Sequence, residues 1–175
     1  VFSTDGKYLI FTSARDFNPT YGQLEWNHTY NNMNGVYMAM LAQDTPSPLL
    51  PTDGPADAPK KDDKAAPASV KVDAEGIIGR IIKLPMRPGF YRNFFCDGKK
   101  LYFGSGRDTK AFDFKTQKEE TVAEGASFSI TPGSKKALFS KRGQMFVCDF
   151  PAAKANMKNA VSLKDMVAHV NYKEE

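Results

Sequence analysis

Two Arg-Asp dipeptides are the residues of this sequence whose types and spacing most directly suggest chemistry. Arg15-Asp16 follows one apolar run, and Arg107-Asp108 follows a second run of the same pattern. A guanidinium group binds a carboxylate through two parallel hydrogen bonds, so Arg15 and Arg107 are candidates for engaging the carboxylates of a peptide. The alternative is an ion pair that caps a loop and is shared between blades, which contributes about 0–1 kcal/mol at an exposed position. Both interpretations stay open at the level of sequence.

A second group of candidate binding residues lies in the segment 17–34, which contains Tyr21, Trp26, His28 and Tyr30. Aromatic side chains with a polar tip suit the contact of a loop with a ligand, and they equally suit the packing of that loop onto a sheet. With the Arg-Asp dipeptides they give a predicted peptide-binding set of Arg15, Asp16, Tyr21, Trp26, His28, Arg107 and Asp108.

Catalysis is disfavoured by the residues that are missing. The chain has two histidines, His28 and His169, and neither lies in a Gly-x-Ser-x-Gly or His-Glu-x-x-His setting. Ser105, between two glycines, resembles a nucleophile turn, but Ser13 holds the same place in the other copy of the pattern, which predicts a structural role. No group of Cys, His and carboxylates has the spacing of metal ligands. The sequence therefore predicts no catalytic residue, no metal site and no cofactor in this chain.

The fold is indicated by an internal repeat. The stretch from Asp5-Gly6 to Asp16 aligns without a gap with the stretch from Asp97-Gly98 to Asp108, and a weaker copy spans 132–140. Each copy is a turn, an alternating apolar strand and a second turn. Gly at the first turn accepts a positive φ, and the Asp before it can accept hydrogen bonds from nearby amides. Such repeats are typical of all-β arrays in which each sheet stacks on its neighbours.

The spacing of the strands predicts a partial β-propeller with antiparallel four-stranded blades, as a fragment of a larger propeller. A repeat of about 40 residues with four short strands is typical of a blade. The predicted strands are 7–13, 36–41, 70–73, 77–84, 91–96, 99–104, 110–115, 119–123, 128–131, 136–140, 144–150 and, in the tail, 161–172. The first blade is assigned to 1–43 and 70–90, the second to 91–126, and the third, partial blade with the start of a connector to 127–175.

The composition of the chain predicts one irregular segment and excludes some classes of partner. The segment 44–69, which interrupts the first blade, is rich in Pro, Lys and Asp and is predicted to be a mobile excursion.

The formal charge of +4 is scattered along the sequence, so nucleic-acid binding is not expected. No apolar run approaches the roughly 18–20 residues of a membrane span. Cys96 and Cys148 are predicted to be buried free thiols, and a disulfide between them is left open.

The repeat resembles TolB-like and WD40-like propeller repeats. Together with the stretches 13–31, 44–48 and 72–85, it makes the chain similar to the propeller region of bacterial tricorn protease homologues. There are departures, because Thr4 and Cys96 replace the usual Pro before Asp-Gly, and Pro132-Gly133 lacks the Asp. The tail 170–175 is similar to the stretch where such a propeller leads into the catalytic half.

The resemblance implies a non-catalytic portion of a serine peptidase, a hydrolase active in proteolysis, with its catalytic residues outside this chain. The implied partners are peptides or unfolded protein segments and downstream PDZ-like and peptidase domains, and the implied role is to gate or steer peptides or to scaffold assembly. The alternative is a TolB-like interaction module of the cell envelope with no peptidase attached. A periplasmic or cell-envelope location is expected, with the cytoplasm as the alternative. Unpaired sheet faces predict self-association of the chain.

Overall fold

The structure is a computed structural model that describes residues 1–16, 19–21, 28–30, 32–49, 70–130, 133, 135–162, 164 and 166, with the backbone alone for 19–21 and 28–30. The described residues form twelve β-strands and one short 3-10 helix. The strands are β1 (Tyr8–Ser13), β2 (Pro19–Tyr21), β3 (His28–Tyr30), β4 (Gly35–Met40), β5 (Ile81–Lys83), β6 (Tyr91–Cys96), β7 (Lys100–Ser105), β8 (Asp108–Asp113), β9 (Lys118–Ala123), β10 (Ser127–Ile130), β11 (Lys136–Lys141) and β12 (Gln144–Asp149), and the helix is Ile77–Arg80.

The strands form antiparallel sheets in chain order, as the repeat predicts. The first sheet has the order β1-β4-β5, the second β6-β7-β8-β9 and the third β10-β11-β12, while β2 and β3 pair as a separate hairpin. The all-β class is therefore confirmed, and the segment predicted as a long connection after β1 contains this hairpin. No helix among the described residues is long and apolar enough to cross a membrane.

The first three residues extend the first sheet beyond β1, as an antiparallel partner of that strand. The Val1 ammonium donates a hydrogen bond to the Ile10 carbonyl at 2.7 Å, and the Ile10 amide donates to the Val1 carbonyl at 2.8 Å. Ser3 forms a parallel bridge with Cys96 of β6, and the Thr4 amide donates to the Cys96 carbonyl at 2.9 Å. The segment 1–3 and β6 thus run in the same direction, and each pairs antiparallel with the strand that follows it, so β1 and β7 end at the same edge of the stack.

An apolar core lies between the first and second sheets, and another lies between the second and third. In β7, Leu101 and Phe103 point into the first core, and Tyr102 points into the second, because alternate residues of a strand face opposite sides. Phe112 and Phe114 also join the first core. The second sheet is therefore buried on both faces, which accounts for the apolar character of both sets of alternating residues.

The Asp-Gly turns have the predicted chemistry. Oδ1 of Asp97 accepts hydrogen bonds from the amides of Lys99 at 2.8 Å and Lys100 at 2.7 Å. Gly98 has φ of 87° and Gly6 has φ of 68°, in the left-handed region that favours glycine.

Replacing Gly98 by alanine should lower the free energy of unfolding by about 1–2 kcal/mol through the left-handed backbone, and further through crowding. A Cβ at Gly98 would lie 2.7 Å from Oδ2 of Asp5, which belongs to the preceding repeat. Gly106→Ala is the matched control, since Gly106 has φ of 60° but no neighbour within 4 Å of its added Cβ. Chemical denaturation should show the larger loss for Gly98→Ala, and equal losses would contradict the contact.

Two predicted strands of the first blade differ from the structure. Residues 70–73 are not a strand, and Asp73 instead joins two loops, since its amide donates to Leu41 O at 2.9 Å and its Oδ2 accepts from the Gln43 amide at 2.8 Å. That amide is the main reason why the pKa of the Asp73 carboxyl is lowered. The stretch 77–84 contains a 3-10 turn followed by the three residues of β5, because Gly76 has φ of 68° and redirects the chain.

The remaining predictions concern the insert, the tail and the thiols. Residues 50–69 and 167–175 lie outside the described residues, and 161, 162, 164 and 166 are not in a strand. The described part of the segment predicted to be a mobile excursion, 44–49, is held in place, because Leu49 packs against the first core and the Tyr8 hydroxyl donates to the Pro46 carbonyl at 3.3 Å. Cys96 and Cys148 are both buried and free, as predicted. Burial raises the pKa of the Cys96 thiol to about 12.

Candidate peptide-binding site

The edge where β1 and β7 end carries most of the predicted site residues that the structure describes. Arg107 and Asp108 form the turn between β7 and β8, and β9 runs back to the same edge, so the loop 124–126 lies beside them. The turn between β11 and β12, with Arg142 at its tip, also lies beside this loop.

Arg107 lies in a basic cleft between the second and third sheets. The cleft has a volume of about 440 Å³, and the residues that line it are Arg107, Glu124, Gly125, Lys141 and Arg142. Three cations and one carboxylate give the cleft an excess of positive charge. An arrangement of this kind favours an anionic group with planar, bidentate geometry, such as a carboxylate.

Asp108 positions one wall of the basic cleft rather than pairing with Arg107. Its Oδ1 accepts a hydrogen bond from the amide of Gly125 at 2.8 Å. The next residue, Thr109, is fully buried, and its hydroxyl donates to the Ala126 carbonyl at 2.7 Å. These two hydrogen bonds fix the loop 124–126 against the turn that carries Arg107.

Arg15 and Asp16 have different partners from those that the ion-pair interpretation predicts. The Asp16 carboxylate pairs through Oδ1 with Nζ of Lys83 at 2.7 Å and accepts a hydrogen bond from the Tyr37 hydroxyl at 3.2 Å. The Arg15 guanidinium lies over the Tyr37 ring, 5.7 Å from its centroid. Desolvation and the hydrogen bond to Asp16 raise the pKa of the Tyr37 hydroxyl. Asp16 does form an ion pair, but its partner is Lys83 on β5 of the same sheet and not a residue of a neighbouring blade.

The structure gives less about the aromatic members of the predicted set. Tyr21 and His28 are backbone partners in the hairpin of β2 and β3. Trp26 lies outside the described residues. Their predicted role in peptide binding stays a prediction.

The sequence prediction missed two cations of the basic cleft. Lys141 and Arg142 occupy the places in the third repeat that Ser105 and Gly106 occupy in the second. The repeat offset was therefore a signal that could have found them. Among the described residues no group of His, Cys, Asp and Glu is suited to hold a metal ion. Ser105 ends β7 as Ser13 ends β1, in line with a structural place for both.

Stacked antiparallel sheets, each buried against the next, define a propeller-type β array, and known proteins share this fold. The crystal structure of the tricorn protease aligns with 92% of this chain at a TM-score of 0.64 and 16% identity, and the chain spans 17% of it. Two curated relatives come from Streptomyces coelicolor. Tricorn protease homolog 1 is 30% identical over 95 residues, or 51% of this chain, and putative tricorn protease homolog 2 is 32% identical over 96 residues, or 52% of this chain.

The chain is thus similar to a region of the tricorn protease homologues, as the resemblance of the repeat together with the stretches 13–31, 44–48 and 72–85 indicated. It spans 9% and 8% of the length of the two curated relatives. No family model matches the sequence.

Proposed function

We propose that this chain is the non-catalytic propeller portion of a tricorn-like serine peptidase, and that it binds peptides and steers or gates their passage. The observation that carries the proposal is the basic cleft of Arg107, Lys141 and Arg142, at the edge of the stack where β7 ends. The relatives named as proteases support a peptide as the ligand. The location that goes with this proposal is the periplasm or cell envelope.

The physical basis is electrostatic attraction with limited strength. Arg107 and Arg142 are exposed, so each pair that they form with a carboxylate contributes about 0–1 kcal/mol and is screened by salt. Several weak contacts of this kind suit transient binding, because a peptide that passes through the propeller must dissociate rapidly. The loop 124–126, fixed by Asp108 and Thr109, supplies Glu124 and Gly125 to the wall of the cleft.

A labelled peptide with a free carboxylate end tests the proposal through fluorescence anisotropy. Arg107→Gln and Arg142→Gln should each weaken binding about fivefold, which corresponds to about 1 kcal/mol. The same peptide with an amidated end should bind the wild-type chain about fivefold more weakly than the free-acid peptide does. Raising the salt concentration should weaken binding of the free-acid peptide.

Lys99→Gln is the matched control, since Lys99 is an exposed cation in the turn at the opposite end of β7. It should leave binding unchanged. An equal loss of affinity for Lys99→Gln and Arg107→Gln would show that binding depends on net charge alone. That result would contradict a site in the basic cleft. Absence of binding by the wild-type chain would also contradict the proposal.

A further inference from the structure

The arginines of this chain are concentrated at one edge of the stack. The sequence has six, and five of them lie at the edge where β1 and β7 end, namely Arg15, Arg87, Arg92, Arg107 and Arg142. All five are exposed. The sixth, Arg80, lies near the opposite end of the first sheet, where its guanidinium donates to the carbonyls of Met40 and Glu75.

The first sheet contributes two cations to this edge. Arg15 follows the end of β1, and the start of β4 shares that edge because the two strands are antiparallel. Arg87 lies in the loop 84–90, which joins β5 to β6. The Gly89 amide of this loop donates to the Asn34 carbonyl at 2.9 Å, directly before β4 begins.

The second and third sheets contribute two cations each. Arg92 lies near the start of β6, and its Nη2 donates to the Gly106 carbonyl at 2.7 Å, in the turn that holds Arg107. In the third sheet Lys141 ends β11, and Arg142 follows in the turn to β12. These six cations form a row across the three sheets, here called the arginine edge: Arg15 and Arg87, Arg92 and Arg107, Lys141 and Arg142.

The arginines of this edge take no part in salt bridges within the described residues. The seven salt bridges found there are all formed by lysines. The contrast is clearest at Asp16, which pairs with Lys83 although Arg15 is its neighbour in sequence. A guanidinium binds a carboxylate with more geometric specificity than an ammonium does, so unpaired arginines at one edge are suited to an external carboxylate.

The exposure of the arginine edge does not depend on the number of sheets in the array. Sheets of a propeller stack face to face, so a further sheet on either side of these three covers a face and leaves the edge open. Packed sheets lie about 10 Å apart, and an extended chain rises about 3.3 Å per residue. About three residues of an extended peptide therefore span the step from one sheet to the next.

We propose that the arginine edge binds an extended acidic peptide whose carboxylates are three residues apart, one at each sheet. The inference deepens the proposed function and rests on it, since it names the class of peptide that this propeller binds. Each exposed pair is weak, but every contact after the first is intramolecular, so the contacts reinforce one another. Asp108 and Glu124 interrupt the row of cations, which favours separate carboxylates over the continuous phosphate chain of a nucleic acid.

Fluorescence anisotropy with blocked peptides tests the proposal. The probe is a labelled peptide, acetylated and amidated at its ends, whose only carboxylates are three glutamates spaced three positions apart. It should bind about tenfold more tightly than the same peptide with three glutamines. A peptide of the same composition with three adjacent glutamates should bind about threefold more weakly than the spaced one, because it reaches fewer sheets.

Two variants outside the basic cleft separate this proposal from the first. Arg15→Gln and Arg87→Gln should each weaken binding of the spaced peptide about threefold. Both should leave binding of the short free-acid peptide unchanged, since neither residue lines the basic cleft. Lys115→Gln is the matched control, because Lys115 is an exposed cation in the turn between β8 and β9, at the opposite edge. Far-UV circular dichroism checks that each variant is folded.

The outcomes distinguish the arginine edge from its rivals. Equal binding of the glutamate and glutamine peptides overturns the proposal, and so does equal binding of spaced and adjacent glutamates. Losses with Arg107→Gln but not with Arg15→Gln or Arg87→Gln confine binding to the basic cleft and also overturn it. Tighter binding of a short single-stranded oligonucleotide than of the spaced peptide would assign the edge to nucleic acid instead. Binding of the spaced peptide without binding of the free-acid peptide supports the arginine edge and contradicts only carboxylate-end binding in the basic cleft.

Discussion

Replacing Phe103 by alanine is expected to lower the free energy of unfolding by about 3–5 kcal/mol. Phe103 is fully buried in the core between the first and second sheets, and its ring forms a T-shaped contact with that of Tyr91, with centroids 5.3 Å apart. Its removal leaves a cavity that two hydrogen-bonded sheets cannot close. Urea denaturation should show this as a lower midpoint with an unchanged m-value, since the surface exposed on unfolding stays similar.

Phe11→Ala is the matched control, because Phe11 holds the same place in the first repeat. It is half-buried and stacks on Tyr37 with centroids 5.9 Å apart. Its loss should cost about 1–2 kcal/mol, since less apolar surface returns to water. Equal losses would contradict the placement of the first core between these sheets.

The repeated strands could be predicted within a residue because their signals are local. The patterns at 7–13, 99–104 and 136–140 correspond to β1, β7 and β11. Each signal combines a turn that needs Asp and Gly with alternation at the period of a strand, and both act over a few residues. Sheet order then follows because consecutive antiparallel strands joined by short turns pair with each other.

The end of the first blade could not be predicted because tertiary contacts decide its conformation. The residues 77–84 are apolar enough for a strand, but Arg80 turns back and its Nε donates to the Met40 carbonyl at 3.1 Å. A second nitrogen of the same guanidinium donates to the Glu75 carbonyl at 2.9 Å. Contacts that satisfy distant carbonyls leave no periodic pattern in the sequence.

Only part of the candidate site could be predicted, because some of its residues are brought together by contacts that leave no pattern in the sequence. Arg107 stood out because it recurs with Arg15 at the end of a strand. Lys141 and Arg142 were missed because the third repeat has lost its Arg-Asp dipeptide. The pairing of Asp16 with Lys83 depends on β5 lying beside β4, which only the folded sheet establishes.

The Asp16 pairing leads to the second large expected effect, which is the destabilisation caused by Gly35→Ala. A Cβ at Gly35 would lie 2.6 Å from Oδ2 of Asp16 and 3.2 Å from a ring carbon of Tyr37. Asp16 must then move away from Lys83, although its side chain is only 10% exposed and gains little water in exchange. The free energy of unfolding should fall by about 2–3 kcal/mol, toward the upper end of the range for overpacking. Thermal or urea denaturation measures it.

A double-mutant cycle identifies the cause of that loss. If the clash with Asp16 is responsible, Gly35→Ala should cost clearly less in an Asp16→Ala background, where the crowded oxygen is gone. Gly79→Ala is the control for glycine removal itself, since its added Cβ meets nothing within 4 Å and its φ is not positive. Gly79→Ala should leave the free energy of unfolding unchanged or raise it slightly, because alanine lowers the conformational entropy of the unfolded chain. Additive losses for Gly35→Ala and Asp16→Ala would show that Gly35 is required by the backbone of β4, and that the carboxylate is not what makes an alanine intolerable there.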